Sequence, residues 1–277
     1  MCGGVIAIFA VLHLEQAEKY RGFRRKLYQW GWCSPKVRTV DAPFGSFFMI
    51  ETVISDHGVV WRKVKKAAGV EAERLLLPCG VRPPAHCGIR GYEDDEYRRR
   101  LLVNFVLDAV REASRQTKLE LVLVDIAGRC AGVAAELSER VAALRVLTLR
   151  PRQYDGCCAY CLRKYGAAPM LSEDPRIMRN ASLVLAPYGF QETCLPPADS
   201  IVFAQGSGRI GMTVPPEAVV LERKYLDYMP PGISPSAFAA ALCESGRIPE
   251  LATMVPLFVE QYGRKISLNE AVRKMFT

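Results

Sequence analysis

An α/β architecture on an open, mostly parallel sheet is predicted from about residue 119 onward, with a smaller α/β region ahead of it. Three observations predict it. Short apolar runs alternate with amphipathic stretches and short connections through the second half of the chain. The run Leu119 to Ile126 is apolar without alternation, as a strand buried on both faces must be. The first hundred or so residues already mix strand-like and helical stretches with irregular basic ones.

Taken in order, Val5 to Val11 and Phe47 to Ile54 read as strands, being short, rich in branched or aromatic residues and bounded by Gly, Pro or Asp. Between them, the segment 19–38 interleaves Lys19, Arg21, Arg24, Arg25, Lys26, Lys36 and Arg38 with Tyr20, Phe23, Tyr28, Trp30 and Trp32. Helical spacing follows over Gly58 to Glu73, then a short strand at Leu75 to Leu77 and a loop from Pro78 to Gly91. Asp94, Asp95 and Glu96 open a helix whose apolar stripe runs through Leu101, Leu102, Phe105, Val106, Ala109 and Val110.

After the strand 119–126, a helix from Gly128 carries Val133, Leu137, Val141 and Leu144 on one face and leads to a strand at Arg145 to Leu149, a βαβ unit of about thirty residues. Further elements are expected as a helix over Tyr160 to Tyr165, an extended piece at Ala167 to Leu171 and a helix over Asp174 to Asn180. Strands at Ser182 to Ala186 and Ile201 to Gln205 follow, then surface helices over Pro235 to Ser245 and Ser267 to Phe276. Ser267 and Glu270 have the spacing of a capping box. The expected division is residues 1–118 as an N-terminal α/β region and 119–277 as the larger domain with C-terminal helices.

Composition excludes several classes. Apolar residues make up 50% of the 277, charged residues 24% and aromatics 9%, far from disordered or collagen-like chains. The net charge of +8 favours an anionic ligand or partner. Val5 to Leu12 is too short to span a bilayer, which takes roughly 20 apolar residues, so no membrane partner is expected. Met1-Cys2-Gly3-Gly4 has no charge ahead of that run, and the chain reads as cytoplasmic. With three histidines, a multi-histidine metal site is nearly excluded. The ten cysteines, irregularly spaced, read as reduced thiols. No G-x-S-x-G elbow and no G-x-x-x-x-G-K-[ST] loop occurs, leaving hydrolase and nucleotide-triphosphatase readings without support.

Two glycine patterns compete for a phosphate-binding role. Gly206-Ser207-Gly208-Arg209-Ile210-Gly211 matches the dinucleotide fingerprint, yet Met212-Thr213-Val214-Pro215-Pro216 follows where a helix should begin, so it reads as a turn between strands. The segment Asp125-Ile126-Ala127-Gly128-Arg129-Cys130-Ala131-Gly132 instead lies between a strand and an amphipathic helix. Ile126 stands for the first glycine, Gly128 is the second, and Ala131 takes the third position.

This arrangement resembles a degenerate Rossmann dinucleotide-binding unit over roughly residues 119–205. The resemblance implies a Rossmann-like sheet and a nicotinamide dinucleotide, with Gly128, Ala131 and Gly132 at the pyrophosphate. Where a carboxylate for the ribose of NAD is usual, the chain has Thr148-Leu149-Arg150-Pro151-Arg152. If a dinucleotide binds, Arg150 and Arg152 favour NADP; the other reading is two arginines solvating a sheet edge.

Two functions are therefore expected: an NADP-binding oxidoreductase, or an inactive descendant of one, acting on a small molecule with its catalytic residues unidentified; alternatively, a non-enzymatic protein using 19–38 to contact a polyanion or protein partner. Single-stranded nucleic acid suits the composition of 19–38, although a solvated face with tucked-in tryptophans explains it as well. Tyr188, beyond a strand end, is placed either to contact a nicotinamide or a substrate or, the simpler reading, to pack as a rim aromatic, and no catalytic role is assigned to it. Cys158 and Cys161, with Cys157 beside them, have the spacing of a zinc or redox pair; further donors at Cys79, His86 and Cys87 lie in a distant loop, so no metal is assigned.

Overall fold

The computed structural model describes residues 8–69, 74–92, 94–113, 119–191, 195–205, 210–248 and 255–276. In chain order the strands are β1 (Ala10–Gln16), β2 (Lys36–Ala42), β3 (Gly45–Ile54), β4 (Arg74–Leu76), β5 (Arg90–Gly91), β6 (Glu120–Val124), β7 (Ala143–Leu147), β8 (Met170–Ser172), β9 (Leu183–Ala186), β10 (Ile201–Ala204), β11 (Met212–Thr213), β12 (Phe258–Gln261) and β13 (Arg264–Ser267). The helices are α1 (Gly22–Gln29), α2 (Trp61–Ala68), α3 (Asp94–Ala113), α4 (Ala131–Ser138), α5 (Asp155–Tyr165), α6 (Arg223–Leu226), α7 (Pro235–Glu244) and α8 (Leu268–Phe276). The chain forms two interleaved units, Met1–Tyr97 with Val220–Pro249 and Arg98–Val219 with Glu250–Thr277, where a linear reading divides it at 118/119.

The second unit carries the expected sheet. Its parallel strands lie in the order β8-β7-β6-β9-β10-β11, which counted within the unit is 3-2-1-4-5-6, the doubly wound order of Rossmann-like folds. The cause is visible in β6: Leu121, Val122, Leu123 and Val124 are all buried, so this strand must be covered on both faces. Val122, Val124, Leu147, Val184 and Ala204 pack with Ile177 and Met178 on one side. Phe203 of β10 meets Phe105 of α3, ring centroids 5.7 Å apart. Beyond β11 the sheet is completed by the antiparallel β12 and β13, joined through Tyr262 and Gly263, both at positive φ, as a tight hairpin turn requires.

The first unit has a five-stranded sheet in the order β2-β3-β1-β4-β5, parallel except for the edge strand β2. Ala10, Leu12, Ile50 and Leu75 pack with Val64 and Ala68 of α2. Elsewhere in the unit, Phe9 stacks on Phe47 at 5.2 Å and meets the edge of Phe238 from α7 at 6.0 Å.

Several elements differ from expectation for identifiable reasons. The first strand runs from Ala10 to Gln16 rather than over 5–11, and residues 1–7 lie outside the described part. The strand β2 was hidden inside a charged segment, because an edge strand exposed on both faces along most of its length tolerates Lys36, Arg38 and Asp41. The helix expected over 174–180 is a single 3-10 turn, Pro175–Met178, capped by Asp174 and followed by Asn180 in the left-handed region. The helix over 58–73 shortens to α2, closed by Gly69 at φ +59; residues 70–73 are outside the described part. The helix α7 is not a surface element: Phe238, Ala239, Ala240, Ala241 and Leu242 are buried, small side chains letting it approach closely. At α8 the Ser267 hydroxyl accepts the Glu270 amide, half of the capping box. No helix among the described residues is long and apolar enough to cross a membrane.

Candidate functional site

In an open sheet of this order, the crevice opens where the connections diverge, at the carboxyl ends of the first and fourth strands. Here these are β6 and β9. The chain leaves β6 at Asp125, which is fully buried. Its Oδ2 accepts the Cys130 amide and the Tyr154 hydroxyl, each at 2.6 Å, while its backbone oxygen accepts the Gly128 amide at 3.1 Å. Oδ1 is buried and has no hydrogen-bond partner among the described residues. The carboxylate thus sits at the start of α4, where the helix dipole favours negative charge, and ties down the loop that leads into the helix. Burial, followed by the hydrogen bond to Asp125, raises the Tyr154 phenol well above its ordinary value.

Gly128 adopts φ +73, and a Cβ there would lie 2.9 Å from Arg150 Cβ and Gln153 Cγ. Its missing side chain therefore makes room for the connection after β7. Gly132, by contrast, would meet nothing within 4 Å, and it is exposed in the first turn of α4 with Ala131 beside it. Arg150 and Arg152 follow β7, both exposed. Neither has a carboxylate partner among the described residues. The structure thus gathers Gly128 and Arg150 in direct proximity and leaves Ala131 and Gly132 on the outer face of the same helix start.

One residue that sequence spacing did not mark, Arg99, joins Tyr188 and Arg129 here. Tyr188, just past β9, has Arg129 of the β6–α4 loop 5.1 Å and Arg99 of α3 4.8 Å from its ring centroid. A phenol ring carrying two guanidiniums concentrates positive charge at the divergence of β6 and β9. Arg99 lies outside the βαβ segment, and the run Arg98-Arg99-Arg100 was the one signal for it. Next to this point, at the ends of β9 and β10, Gly189, Phe190, Gln191, Leu195, Gln205 and Ile210 line much of a cleft of about 290 Å³.

The other sequence candidates resolve differently. Of the glycine-rich stretch 206–211, residues 206–209 lie outside the described part; Gly211 crosses closely over Val202 and leads into β11, not a helix. The thiols in contact are Cys157 and Cys161, 4.0 Å apart and buried, one helical turn from each other, rather than Cys158 and Cys161. Burial first, and Cys161 second, push the Cys157 thiol up to about 12. Among the described residues no group of three His, Cys, Asp or Glu side chains is placed to hold a metal.

No protein-family model matches the chain, and no curated protein matches it. Solved structures that overlap it include the following two. A dipicolinate synthase chain from Bacillus halodurans is 11% identical, over 73% of this chain and 84% of that one, with a TM-score of 0.33. Quinate dehydrogenase from Corynebacterium glutamicum, in complex with NAD, is 13% identical, over 97% of this chain and 98% of that one, with a TM-score of 0.30. Overlap of this extent carries no functional argument.

Proposed function

We propose that the second unit binds a nicotinamide dinucleotide, NADP, at the carboxyl edge of its sheet, and that the protein is an NADP-dependent oxidoreductase or a descendant that keeps the fold. The 3-2-1-4-5-6 strand order, with a strand-to-helix loop at its divergence point, is the observation that carries this reading. The residues present suit the ligand. At the start of α4 the ground beside Gly132 is open, Arg129 adds a cation, and Arg150 and Arg152, without carboxylate partners among the described residues, stand where the adenosine phosphate of NADP would need them.

In this reading Ala131 and Gly132 take the pyrophosphate, and Gly128 lets the loop close against the connection after β7. Asp125 is a positioning residue, because it holds the Cys130 amide and the Tyr154 hydroxyl rather than facing solvent. Arg129 and Arg99 on Tyr188 set a positive potential for an anionic substrate or for the cofactor itself. The cleft beyond β9 and β10 is where the reactive half of a dinucleotide and a small substrate would meet. The cofactor supplies hydride transfer when bound.

A thermal-shift series with NADPH, NADH, flavin and no ligand tests the proposal. A ligand at about a hundred times its dissociation constant stabilises the folded state by about 2.7 kcal/mol, enough to raise the melting temperature by several degrees. A rise with NADPH supports the reading; no rise with any dinucleotide overturns it.

A further inference from the structure

The short helix α1 has no buried residue. Such a helix is held by one side only, and that side is identifiable: Tyr28 packs on Tyr20, ring centroids 4.2 Å apart, and Tyr20 donates to Glu15 of β1. Phe23, Leu27 and Trp30, four and three positions apart in turn, form a different face of the helix. Phe23 is 69% exposed, Trp30 50% and the neighbouring Trp32 68%. Large aromatic side chains left this open beside one another mark a surface that meets something apolar.

The display is built rather than frayed. The helix ends in a Schellman turn: the Trp32 amide bonds to the Leu27 carbonyl and the Gly31 amide to that of Tyr28, both at 2.9 Å, with Gly31 at φ +69. Lys63 of α2 then donates to the carbonyls of Gly31, Trp32 and Cys33. Trp32 is thereby folded back beside Trp30, ring centroids 5.3 Å apart.

Around these rings stand Arg21, Arg24, Arg25 and Lys26, exposed and without a carboxylate partner among the described residues. Lys19 and Arg38, by contrast, pair with Glu15 and Glu51. Cations in the first turn oppose the helix dipole, so helix stability does not account for Arg24 and Arg25. An exposed apolar stripe flanked by cations fits the interface of an anionic bilayer, with rings at headgroup depth and cations on the phosphates.

Other occupants fit less well. Base stacking needs open ring faces, whereas Trp30 and Trp32 are tilted 57° against each other and Leu27 lies in the stripe. A second copy would bring the four cations against their own kind. We propose that this helix and the turn after it dock the protein reversibly on anionic lipid surfaces, lying on the membrane and not crossing it. The proposal is independent of the dinucleotide reading, since it concerns the other unit of the chain.

Co-sedimentation of the full chain with vesicles tests it, one set of phosphatidylcholine alone and one containing phosphatidylserine. The expected result is binding to the second set only, weakened by salt, with a blue shift of tryptophan emission. Arg24→Gln with Arg25→Gln lowers the partition coefficient about thirtyfold, from about 1 kcal/mol for each basic residue near the surface. Phe23→Ser with Trp32→Ser abolishes the blue shift. These side chains are exposed, so unchanged circular dichroism melts are expected, and Lys26→Gln gives a milder check. No sedimentation with phosphatidylserine vesicles overturns the proposal. So does binding indifferent to both double variants, or a loss explained instead by self-association or by single-stranded RNA binding with the same residue dependence.

Discussion

Tyr154 donates its hydroxyl to Asp125 Oδ2 at 2.6 Å across 29 residues of sequence, and the same oxygen receives the amide of Cys130 at the start of α4. Both side chains are fully buried. The phenol thus links the connection after β7 to the loop after β6, the two segments that flank the proposed dinucleotide site.

Removing that hydroxyl leaves a buried carboxylate oxygen with one donor fewer. A hydrogen bond to a charged group contributes roughly 1.5–3 kcal/mol, so Tyr154→Phe is expected to lower the unfolding free energy by about 2 kcal/mol in urea titrations at neutral pH. The pH dependence has a definite sign. The folded state holds Tyr154 protonated above the ordinary value of 10.0, so its contribution is whole below pH 10 and drains away as pH rises past it. Stability of the native sequence should fall above pH 10 more steeply than that of Tyr154→Phe, by about 1.4 kcal/mol per pH unit for the one proton. Parallel slopes would show that Tyr154 ionises in the folded protein as it does when unfolded.

The two glycines of the loop separate packing from binding. Gly128→Ala must place a Cβ 2.9 Å from Arg150 Cβ at a backbone angle of +73°. A cost of about 2 kcal/mol or more is expected. Gly132 faces nothing within 4 Å and lies in the right-handed helix, so Gly132→Ala should be neutral or slightly stabilising. Gly132→Val, with a branched side chain over the same ground, should weaken NADPH in calorimetry while leaving the melting temperature of the free protein nearly unchanged. Equal NADPH affinity in Gly132→Val would remove the α4 start from the site.

How far the fold could be read in advance depended on how directly each strand's environment is written in its residues. The strand β6 was legible because Leu121 to Val124 are apolar on both faces, and a central parallel strand leaves no alternative. The amphipathic helix behind it marked the start of a βαβ unit, whereas the order of the strands in the sheet is seen only in the structure. Edge strand β2 was not legible, since Lys36, Arg38 and Asp41 break the apolar pattern that would reveal it. The helix α7 read as a surface element, yet its Ala239, Ala240 and Ala241 are buried and Phe238 meets Phe9 and Phe44, contacts that tertiary structure alone supplies. Near the proposed site, the turn at Gly128 was readable, because a glycine closes the apolar run and opens the helical pattern. The contacts of Asp125 and Arg99 were not, because each depends on a partner, Tyr154 or Tyr188, that tertiary structure alone brings near.

Thiol reactivity offers an independent check on the packing of α5. Cys157 and Cys161 are buried against each other, and burial holds Cys157 protonated up to about 12. Since the thiolate is the reactive form, iodoacetamide at mild alkaline pH should label the exposed Cys79 well before either of them. Peptide mass mapping after brief exposure would show it. Rapid labelling of Cys157 would mean that the helix opens more readily than its burial implies.

The proposed preference for NADP over NAD rests on Arg150 and Arg152, and charge reversal there tests it. NADP differs from NAD by a phosphate on the adenosine ribose, which a guanidinium grips through paired hydrogen bonds. Both arginines are exposed at the end of β7. Arg150→Glu with Arg152→Glu therefore puts two carboxylates in place of two cations with little effect on the core. NADPH affinity should fall roughly tenfold or more, since a charge-assisted hydrogen bond contributes roughly 1.5–3 kcal/mol, whereas NADH, lacking the phosphate, should lose little or bind better through its free ribose hydroxyls. Calorimetric titration of both nucleotides into both proteins measures the difference directly. A parallel loss for NADH and NADPH would place the arginines at the pyrophosphate instead. An unchanged NADPH affinity would leave them as solvated residues at a sheet edge.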